Sequence, residues 1–398
     1  MASEQWQKNL YAIFIAEFIV LVGFQFVTPF IPLYIQELGD FTIREAAFWA
    51  GIASGLAGMA MFLSAPLWGL VADRWGRKPM LLRAQLGSAV VIALTGMAPN
   101  IYYLVVLRFM NGLLSGTVAA ASALVASGTP REKMPFAMGL VMVATFGGNA
   151  FGPLLGGLLA DNIGYRNAFF VTSFLLLVGG LIVLFYVKED FERSDKGERA
   201  SLRGMWRLVS SRDMFSLLLA VFVLPLGPQI VSPNIPLFFK ELNPEGRAAT
   251  ASGVTYFMMG VLASISSVIT GRMSGRFSLK KLLVISCLCT GILYLPPMWA
   301  QTVAQLAIFI AITGLFKGGI MTSVNSLVGL SASVSQQGVV YGVASSAQSL
   351  GNGIGPLIGG PLASLLGFRH VFGVSAALYG LAGLYIYRTF RGQALNKT

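Results

Sequence analysis

Charged residues are scarce in this sequence. They make up 11% of its 398 residues, whereas hydrophobic residues make up 55% and the mean hydropathy is +0.72. Because soluble globular proteins carry about 25% charged residues, this composition excludes a soluble domain of useful size. The single histidine, His370, excludes a histidine-rich metal site. The two cysteines, Cys287 and Cys289, stand two apart on a predicted helix and face different sides, so we expect neither a disulfide nor a metal pair.

Several functional signatures are also missing. The sequence has no Walker-type nucleotide loop, no paired catalytic carboxylates and no soluble sensor region. We therefore expect no ATP-driven activity, no enzyme or receptor, no catalytic residues, no metal and no cofactor apart from protons as a coupling ion. No cleavable signal is recognisable at the N-terminus, and we expect the first apolar helix to direct membrane insertion itself.

Long apolar stretches of about 20 residues recur along the chain, each long enough to cross a hydrocarbon core of about 30 Å as a helix. The sequence predicts twelve, near residues 10–38, 46–72, 79–98, 101–127, 135–160, 166–187, 214–239, 249–271, 280–299, 303–329, 338–365 and 370–388. The expected fold class is an all-α membrane protein with twelve transmembrane helices.

The net charge of +12 reflects membrane topology rather than nucleic-acid binding. With the N-terminus inside, 21 of the 28 lysines and arginines fall in inside loops and tails, near residues 8, 74–83, 131–133, 188–212, 272–281 and 388–397. This is the bias expected of an inserted helical bundle. We expect a multi-pass protein of the inner (cytoplasmic) membrane, surrounded by lipid, with both termini in the cytoplasm.

The chain repeats itself. FQFVTPFIPLYIQEL at 24–38 and PQIVSPNIPLFFKEL at 228–242 share eight of fifteen positions at an offset of 204. GNAFGPLLGGLLADNIGYR at 148–166 matches GNGIGPLIGGPLASLLGFR at 351–369 at an offset of 203. The near-constant offset predicts two pseudo-symmetric six-helix halves, 1–187 and 214–398, the second with a short cytoplasmic tail. The polar segment 188–213 between them is interpreted as a cytoplasmic linker.

The doubled proline phrase lies at the outer end of the first helix of each half. Proline removes a backbone hydrogen bond and kinks a helix, so matched kinks could shape an outer gate. Alternatively, the prolines are merely tolerated after duplication, as is common in membrane helices.

The loop GLVADRWGRKP at 69–79 resembles the signature loop of the major facilitator superfamily, whose two six-helix halves enclose a substrate site near the bilayer midplane. Gly76 permits a tight turn, and Asp73 can accept hydrogen bonds from a helix N-terminus. The second half has Gly275 at the position that corresponds to Asp73, so only the first half carries the complete loop motif. The resemblance implies a conformational latch between the halves, formed by Gly69, Asp73, Arg74, Gly76, Arg77 and Lys78.

Glu17 is the only acidic residue predicted to lie well inside the membrane. A carboxyl group in a low-dielectric cavity can load and release a proton near neutral pH, and it can attract a cationic substrate in competition with that proton. Alternatively, Glu17 reaches water at the cytoplasmic side. Arg108, in LRFMNG, matches an arginine that the superfamily resemblance associates with proton transfer, or it satisfies carbonyl groups of a neighbouring helix.

GNAFGPLLGG at 148–157 resembles the antiporter pattern of this superfamily, carried by Gly148, Gly152, Pro153, Gly156 and Gly157. Glycines four apart let helices approach closely, and the second copy at 351–360 shows that the pattern also serves packing.

The superfamily resemblance implies that helices 1, 4, 7 and 10 line the cavity, with contributions from helices 5, 8 and 11. A few polar groups on an apolar, methionine-containing surface suit a bulky amphipathic ligand. Lys317 could pair with Glu17, bind an anionic group or snorkel. The predicted substrate-cavity residues are Gln25, Asn111, Asn149, Gln229, Asn234, Tyr256, Lys317, Asn325 and Gln348.

The whole chain is similar to the twelve-helix drug:proton antiporter branch of the superfamily, through TPFIPLYIQELG at 28–39, APLWGLVADRWGRKPMLLR at 65–83 and YRNAFFVTS at 165–173 among others. The resemblance implies proton-driven export of several lipophilic, drug-like small molecules by a monomer. The alternative is a dedicated exporter of one metabolite such as a siderophore or a sugar. Arg108 and Lys317 would favour an anionic cargo.

Overall fold

A computed structural model describes residues 2–189, 212–330 and 337–389, which form twelve long helices and no strand. The first six are α1 (Ala2–Val27, a 3₁₀ turn at Thr28–Phe30, then Ile31–Glu37), α2 (Ile43–Trp75), α3 (Arg77–Leu82, a π-helical segment at Arg83–Gly87, then Ser88–Gly96), α4 (Ile101–Leu114 and Thr117–Gly128), α5 (Met134–Ile163) and α6 (Tyr165–Tyr186). The last six are α7 (Arg212–Val231, a 3₁₀ turn at Ser232–Asn234, then Ile235–Leu242), α8 (Ala248–Met273), α9 (Leu279–Leu293), α10 (Val303–Ile312 and Gly314–Leu330), α11 (Gln337–Leu366) and α12 (Phe368–Thr389). The predicted all-α membrane fold is confirmed.

Eleven helices within the described ranges are long and apolar enough to cross a membrane. The twelfth, α11, has 30 residues, and its many Gly, Ser, Gln and Asn residues dilute its hydrophobicity. Two helices predicted as continuous are not: α4 breaks at Ser115 and Gly116, and α10 breaks at Thr313. Helix α3 continues through a π-helical segment.

The repeat is visible in the packing. Helix α1 packs on α5 and α6, and its counterpart α7 packs on α11 and α12. The first six helices (the N-half) meet the last six (the C-half) mainly along two seams, α2 with α11 and α5 with α8. Residues 190–211 of the expected linker and the tail from 390 lie outside the described ranges, so the domain boundaries stay predictions.

Both proline phrases kink their helices as predicted, each through a 3₁₀ turn with proline at its start. The two turns contact each other across the halves, and so do the short helices Ile31–Glu37 and Ile235–Leu242 that follow them. We call this end of the bundle the proline end. It is closed by the meeting of the two repeated segments.

The opposite end carries the α2–α3 and α8–α9 loops with their arginines and lysines, and we call it the basic end. Here the last turns of α2 stand away from the bundle, because the successive residues Ala65, Pro66 and Leu67, which point in different directions from the helix, are all exposed. On α8, Val268 and Ile269 are also exposed. The halves therefore touch near the proline end and diverge toward the basic end.

Candidate functional site

Glu17 lies inside the N-half rather than in the space between the halves. Its side chain is 1% exposed, and Gln85 Nε2 donates a hydrogen bond of 3.3 Å to its Oε2. The Thr117 side chain also lies beside this carboxyl group, without a hydrogen bond to its Oε1. The other carboxyl oxygen, Oε1, is buried without a partner in the described structure. The expectation that Glu17 reaches water is wrong for this conformation, and no bulky substrate has access to it.

Two irregular segments build this pocket. Gln85 belongs to the π-helical segment of α3, and Thr117 is the first residue of the second part of α4. The break before Thr117 is made by Gly116, whose φ of 112° lies in the left-handed region that favours glycine. Short π segments inside helices often occur at functional sites.

The carbonyl groups freed by the α4 break are bonded from outside the helix. Trp68 Nε1 donates to the Leu113 carbonyl at 2.7 Å, and Arg83 Nη2 donates to the Ser115 carbonyl at 3.2 Å. The Arg83 guanidinium also stacks on the Trp68 ring, 3.8 Å from its centre. Helices α2 and α3 thus hold the break in a defined shape.

Arg108 and Asn111 lie one turn apart on the first part of α4. Both are buried, and within the described residues neither Arg108 Nε nor Asn111 Nδ2 has a hydrogen-bond partner. The next residue, Gly112, lets α4 approach the Ala57 carbonyl of α2. The expected alternative, in which Arg108 satisfies neighbouring carbonyl groups, is not seen, because no hydrogen bond from Arg108 to a carbonyl group is present among the described residues and its Nε is without a partner.

Lys317 is partly buried in the C-half beside sulfur and an aromatic ring. Its Nζ lies 3.3 Å from Met259 Sδ and 5.8 Å from the centre of the Tyr294 ring. Tyr294 stacks on Tyr379 with ring centres 5.6 Å apart, and the Tyr379 hydroxyl donates to the Leu224 carbonyl at 3.1 Å. A cation over an aromatic face is stabilised by about 0.5–2 kcal/mol.

The packing identifies the counterpart of Lys317 in the other half. Gly318 approaches the Ala263 carbonyl of α8, just as Gly112 approaches the Ala57 carbonyl of α2. Lys317 therefore occupies the position of Asn111.

Among the described residues, Glu17 forms no ion pair with Lys317 or Arg108, because its only interacting side chains are Gln85 and Thr117. The suggested pairing of Lys317 with Glu17 is therefore absent from this structure. The buried acid is enclosed in one half, while the two bases stand without a carboxylate partner.

Three predicted cavity residues, together with Asn352, form a duplicated hydrogen bond. Gln25 Nε2 on α1 donates to Asn149 Oδ1 on α5 at 2.8 Å. In the C-half, Gln229 Nε2 on α7 donates to Asn352 Oδ1 on α11 at 3.4 Å. Asn149 is exposed and the other three are partly buried, so these amides lie at the edge of accessible space.

The remaining predicted cavity residues lie in different parts of the structure. Asn234 does not line the cavity: it is 1% exposed, and its Nδ2 donates to the Ile230 and Gly359 carbonyls at the proline end. The Tyr256 hydroxyl donates to the Ser232 carbonyl at 2.9 Å. Asn325 is exposed, and Gln348 is partly exposed.

The predicted latch loop is bound to its own half. Gly76, with φ of 97°, makes the expected turn, but the side chain of Asp73 lies outside the described part. Glu189 instead caps the start of α3, accepting from the N–H groups of Arg77 at 2.8 Å and Lys78 at 2.7 Å.

The other residues of the latch loop either bond to the N-half or lie in open space. Lys78 Nζ donates to the Leu184 and Val187 carbonyls at the end of α6. Arg74 is exposed, and a Cβ at Gly69 would have no neighbour within 4 Å. In this conformation no described contact of the loop reaches the C-half.

The glycine motif of α5 packs on two sides. Gly148, Gly152 and Gly156 face α1 of the same half, whereas Gly157 and the Pro153 carbonyl face α8 of the other half, at Ala249 and Gly253. The copy on α11 repeats this division. There Gly359 packs on Ile230 of α7, and Gly360 packs on Ala47 and Gly51 of α2. The motif thus builds both seams, and its packing role is duplicated.

Asp161, just after this motif, joins the halves at the proline end. Its Oδ2 accepts from the Thr250 N–H, in the first turn of α8, at 2.7 Å. The Thr250 hydroxyl donates to the Gly157 carbonyl at 3.3 Å. Arg247, at the N-cap of α8, provides no side-chain cap, so a residue of the N-half caps a helix of the C-half.

Sequence reasoning missed Gln85, Thr117 and Asp161. The Ser115–Gly116 pair before Thr117 permits a helix break but does not predict one, because the Ser54–Gly55 pair lies inside the continuous helix α2. Gln85 and Asp161 carry no local signal, because their importance comes from partners 68 and 89 residues away. Within the described ranges no group of three metal-ligating side chains occurs, and Cys287 and Cys289 are free.

Comparisons with known proteins by sequence and by structure all find membrane transporters. The sequence profile of the Major Facilitator Superfamily matches residues 13–274 and 217–395. The multidrug resistance protein MdtG of Salmonella typhimurium is 32% identical over 392 residues, covering 98% of this chain and 97% of that protein, and MdtG of Salmonella arizonae is 31% identical with the same coverage. A solved structure of a bacterial homologue of the human lysosomal transporter Spinster, inward-facing and unoccupied, superimposes with a TM-score of 0.80 at 13% identity and covers 97% of each chain. That likeness concerns the fold alone.

Proposed function

Because the chain belongs to the major facilitator superfamily and is a non-enzymatic membrane transporter, we propose that it exports several lipophilic, drug-like compounds in exchange for protons by alternating access. The MdtG relatives are multidrug resistance proteins, and extending that role to this chain is part of the proposal.

The observation that carries the proposal is Glu17. It is the one buried acidic side chain in the described part of the chain, it has no ionic partner there, and one of its oxygens is unbonded. A carboxyl group that is sealed from water and free of an ion pair can exist with or without its proton, and the two states interact differently with their surroundings. Such a group can couple proton movement to a conformational change.

The contacts between the halves support alternating access. The proline end is closed by the paired 3₁₀ turns and by the bond from the Thr250 N–H to Asp161, while among the described residues the halves diverge at the basic end and no contact of the latch loop with the C-half is seen. We propose that the basic end faces the cytoplasm, which follows the distribution of lysine and arginine. The described conformation is then inward-facing, and closure of the latch loop on the C-half would accompany opening of the proline end.

The test uses purified protein in liposomes with an imposed pH gradient, following ethidium flux and internal pH together. Ethidium movement coupled to opposite proton movement is expected for the native protein. Glu17→Gln should abolish the coupling, whereas Glu132→Gln, an exposed acid at the basic end, should retain it. If Glu17→Gln still drives ethidium uphill against a pH-clamped control, Glu17 is not the proton carrier.

A second candidate, a dedicated exporter of one anionic metabolite such as a siderophore or an acidic sugar, is favoured by one observation. Arg108 and Lys317 both lie in the membrane region without a carboxylate partner among the described residues. In the same liposomes, proton-linked flux of an anionic compound without ethidium flux would establish this function. Lys317→Met should then reduce the anion flux at least tenfold, and Lys281→Met, at the basic end, should leave it unchanged.

We propose that the unit of transport is a monomer in the cytoplasmic membrane, with its small-molecule substrate and lipid as its only partners. Both seams close within one chain, so a second copy is not needed to complete the site. Transport that continues without ATP in liposomes, and a detergent-corrected mass of one chain by light scattering, are the expected results.

A further inference from the structure

Building on the proposed proton exchange, we infer that Glu17, Gln85 and Thr117 form a closed proton-binding site inside the N-half, separate from the cavity that substrate enters. The proton then acts on transport through the break in α4. It does not compete with substrate for one shared carboxylate.

The three side chains provide hydrogen-bond partners for both states of the carboxyl group. When Glu17 is ionised, Gln85 Nε2 donates to it, as in the structure, and the Thr117 hydroxyl beside it can turn to donate as well. When Glu17 carries the proton, its O–H needs an acceptor. Gln85 Oε1 is buried without a described partner and can become that acceptor when the amide rotates. One glutamine can therefore provide a hydrogen-bond partner for the carboxyl group both with and without its proton.

The site is too tightly enclosed for a bulky ligand. Glu17, Gln85 and Thr117 are 1%, 0% and 4% exposed. Two glycines of α6 close the wall: Gly179 lies against Val20 and the Ala16 carbonyl, and Gly180 lies against the π-helical segment of α3. A proton can reach such a site through small rearrangements, whereas a drug-sized compound would need the helices of the N-half to separate.

Among the described residues, no salt bridge joins Glu17 to a charged side chain. The charged and titratable groups on the elements around the site are Lys8, Tyr11, Tyr34 and Glu37 on α1; Arg77, Lys78 and Arg83 on α3; Tyr102, Tyr103 and Arg108 on α4; Lys133 before α5 and Asp161 in it; and Tyr165, Arg166 and Tyr186 on α6. Arg83 donates to the Ser115 carbonyl, and no hydrogen bond from any of the others to Glu17 is seen in the described structure. The polar partners of the site are therefore Gln85 and Thr117.

The break in α4 connects this site with the space between the halves. Thr117 begins a helix of 12 residues, and the positive end of its dipole lies beside the carboxyl group. The ionised carboxylate attracts this helix end, and the protonated one attracts it less. The other side of the break continues into the segment that carries Arg108 and Asn111. A proton on Glu17 thus bears on the helix that presents these polar groups.

The experiment measures conformation against pH without any substrate. Spin labels at Glu132→Cys and Arg276→Cys, exposed positions at the basic end of the two halves, report the opening in a Cys287→Ala, Cys289→Ala background in liposomes. The native sequence should show a pH-dependent distance distribution, and Glu17→Gln should abolish that dependence. Gln85→Leu and Thr117→Val each remove a donor to the carboxylate, so each should move the midpoint by about one pH unit toward higher pH.

Matched controls remove buried hydroxyl groups that have no described partner. Ser88→Ala, on the next turn of α3, and Thr172→Val, on α6, should leave the midpoint unchanged. If Gln85→Leu and Thr117→Val also leave it unchanged while Glu17→Gln abolishes the response, the inferred site is wrong and Glu17 remains the carrier. If Glu17→Gln keeps the native response, or if the native protein shows none, the proposed proton coupling through Glu17 fails as well.

Discussion

The bond between Asp161 and Thr250 gives a quantitative prediction about the closed proline end. It joins a carboxylate of α5 to an N–H group in the first turn of α8, at 2.7 Å, and it must break when the halves separate there. A hydrogen bond to a charged group contributes about 1.5–3 kcal/mol. Because Asp161 is partly exposed, we take about 1.5 kcal/mol for Asp161→Ala, the low end of that range.

That energy corresponds to about a tenfold lower ratio of closed to open molecules at the proline end. Spin labels at Asp40→Cys and Glu245→Cys, in the exposed loops of the two halves at this end, measure the ratio as a distance distribution by double electron–electron resonance. Asp161→Asn keeps an acceptor oxygen without the charge and should have an intermediate effect. Asn162→Ala is the matched control, since Asn162 is the next residue and bonds only to Leu158 of its own helix. A change below twofold for Asp161→Ala would refute the view that this cap holds the proline end closed.

Two further predictions concern the backbone. Gly116→Ala places a side chain at a φ of 112° and should lower the free energy of unfolding by about 1 kcal/mol or more. The measurement is the unfolding temperature in detergent, which should fall. Gly69→Ala, whose side chain would lie in open space, should leave that temperature unchanged. Glu189→Gln weakens the cap on α3 and should speed hydrogen exchange of the Arg77 and Lys78 amides about tenfold, and unaltered exchange there would contradict the cap.

The repeat made much of the architecture predictable. Two copies at a near-constant offset fixed the twelve-helix, two-half plan, and the doubled prolines indicated both kinks. The duplicated bond between Gln25 and Asn149 also follows the repeat, because both partners recur in the C-half. A feature that occurs in both repeats can be predicted from the sequence, because each copy supports the interpretation of the other.

Features that occur in only one half could not be predicted from the sequence. Glycine and serine pairs such as Ser115–Gly116 occur throughout the chain, and the Gly147–Gly148 pair lies within the continuous helix α5. Only tertiary contacts, from Trp68 and Arg83, make the α4 break stable. The isolation of Glu17 in an apolar helix indicated a buried acid, which the structure shows, while its role in proton coupling stays a prediction. Its direction, into the N-half rather than the cavity, depends on α3 and α6, which the pattern of α1 does not specify.

The glycine pairs at the seams have a consequence for the exchange of parts between related proteins. Gly157 and Gly360 meet main-chain carbonyl groups of the opposite half, at Ala249 and Ala47, so much of the join is recognised through backbone shape. Backbone shape is shared by any two chains with the same small residues at these positions, whatever their other side chains. The N-half of this chain and the C-half of a relative with matching glycines should therefore assemble into one working hybrid, with a threonine at the position of Thr250 in the C-half to keep the bonds to Asp161 and Gly157.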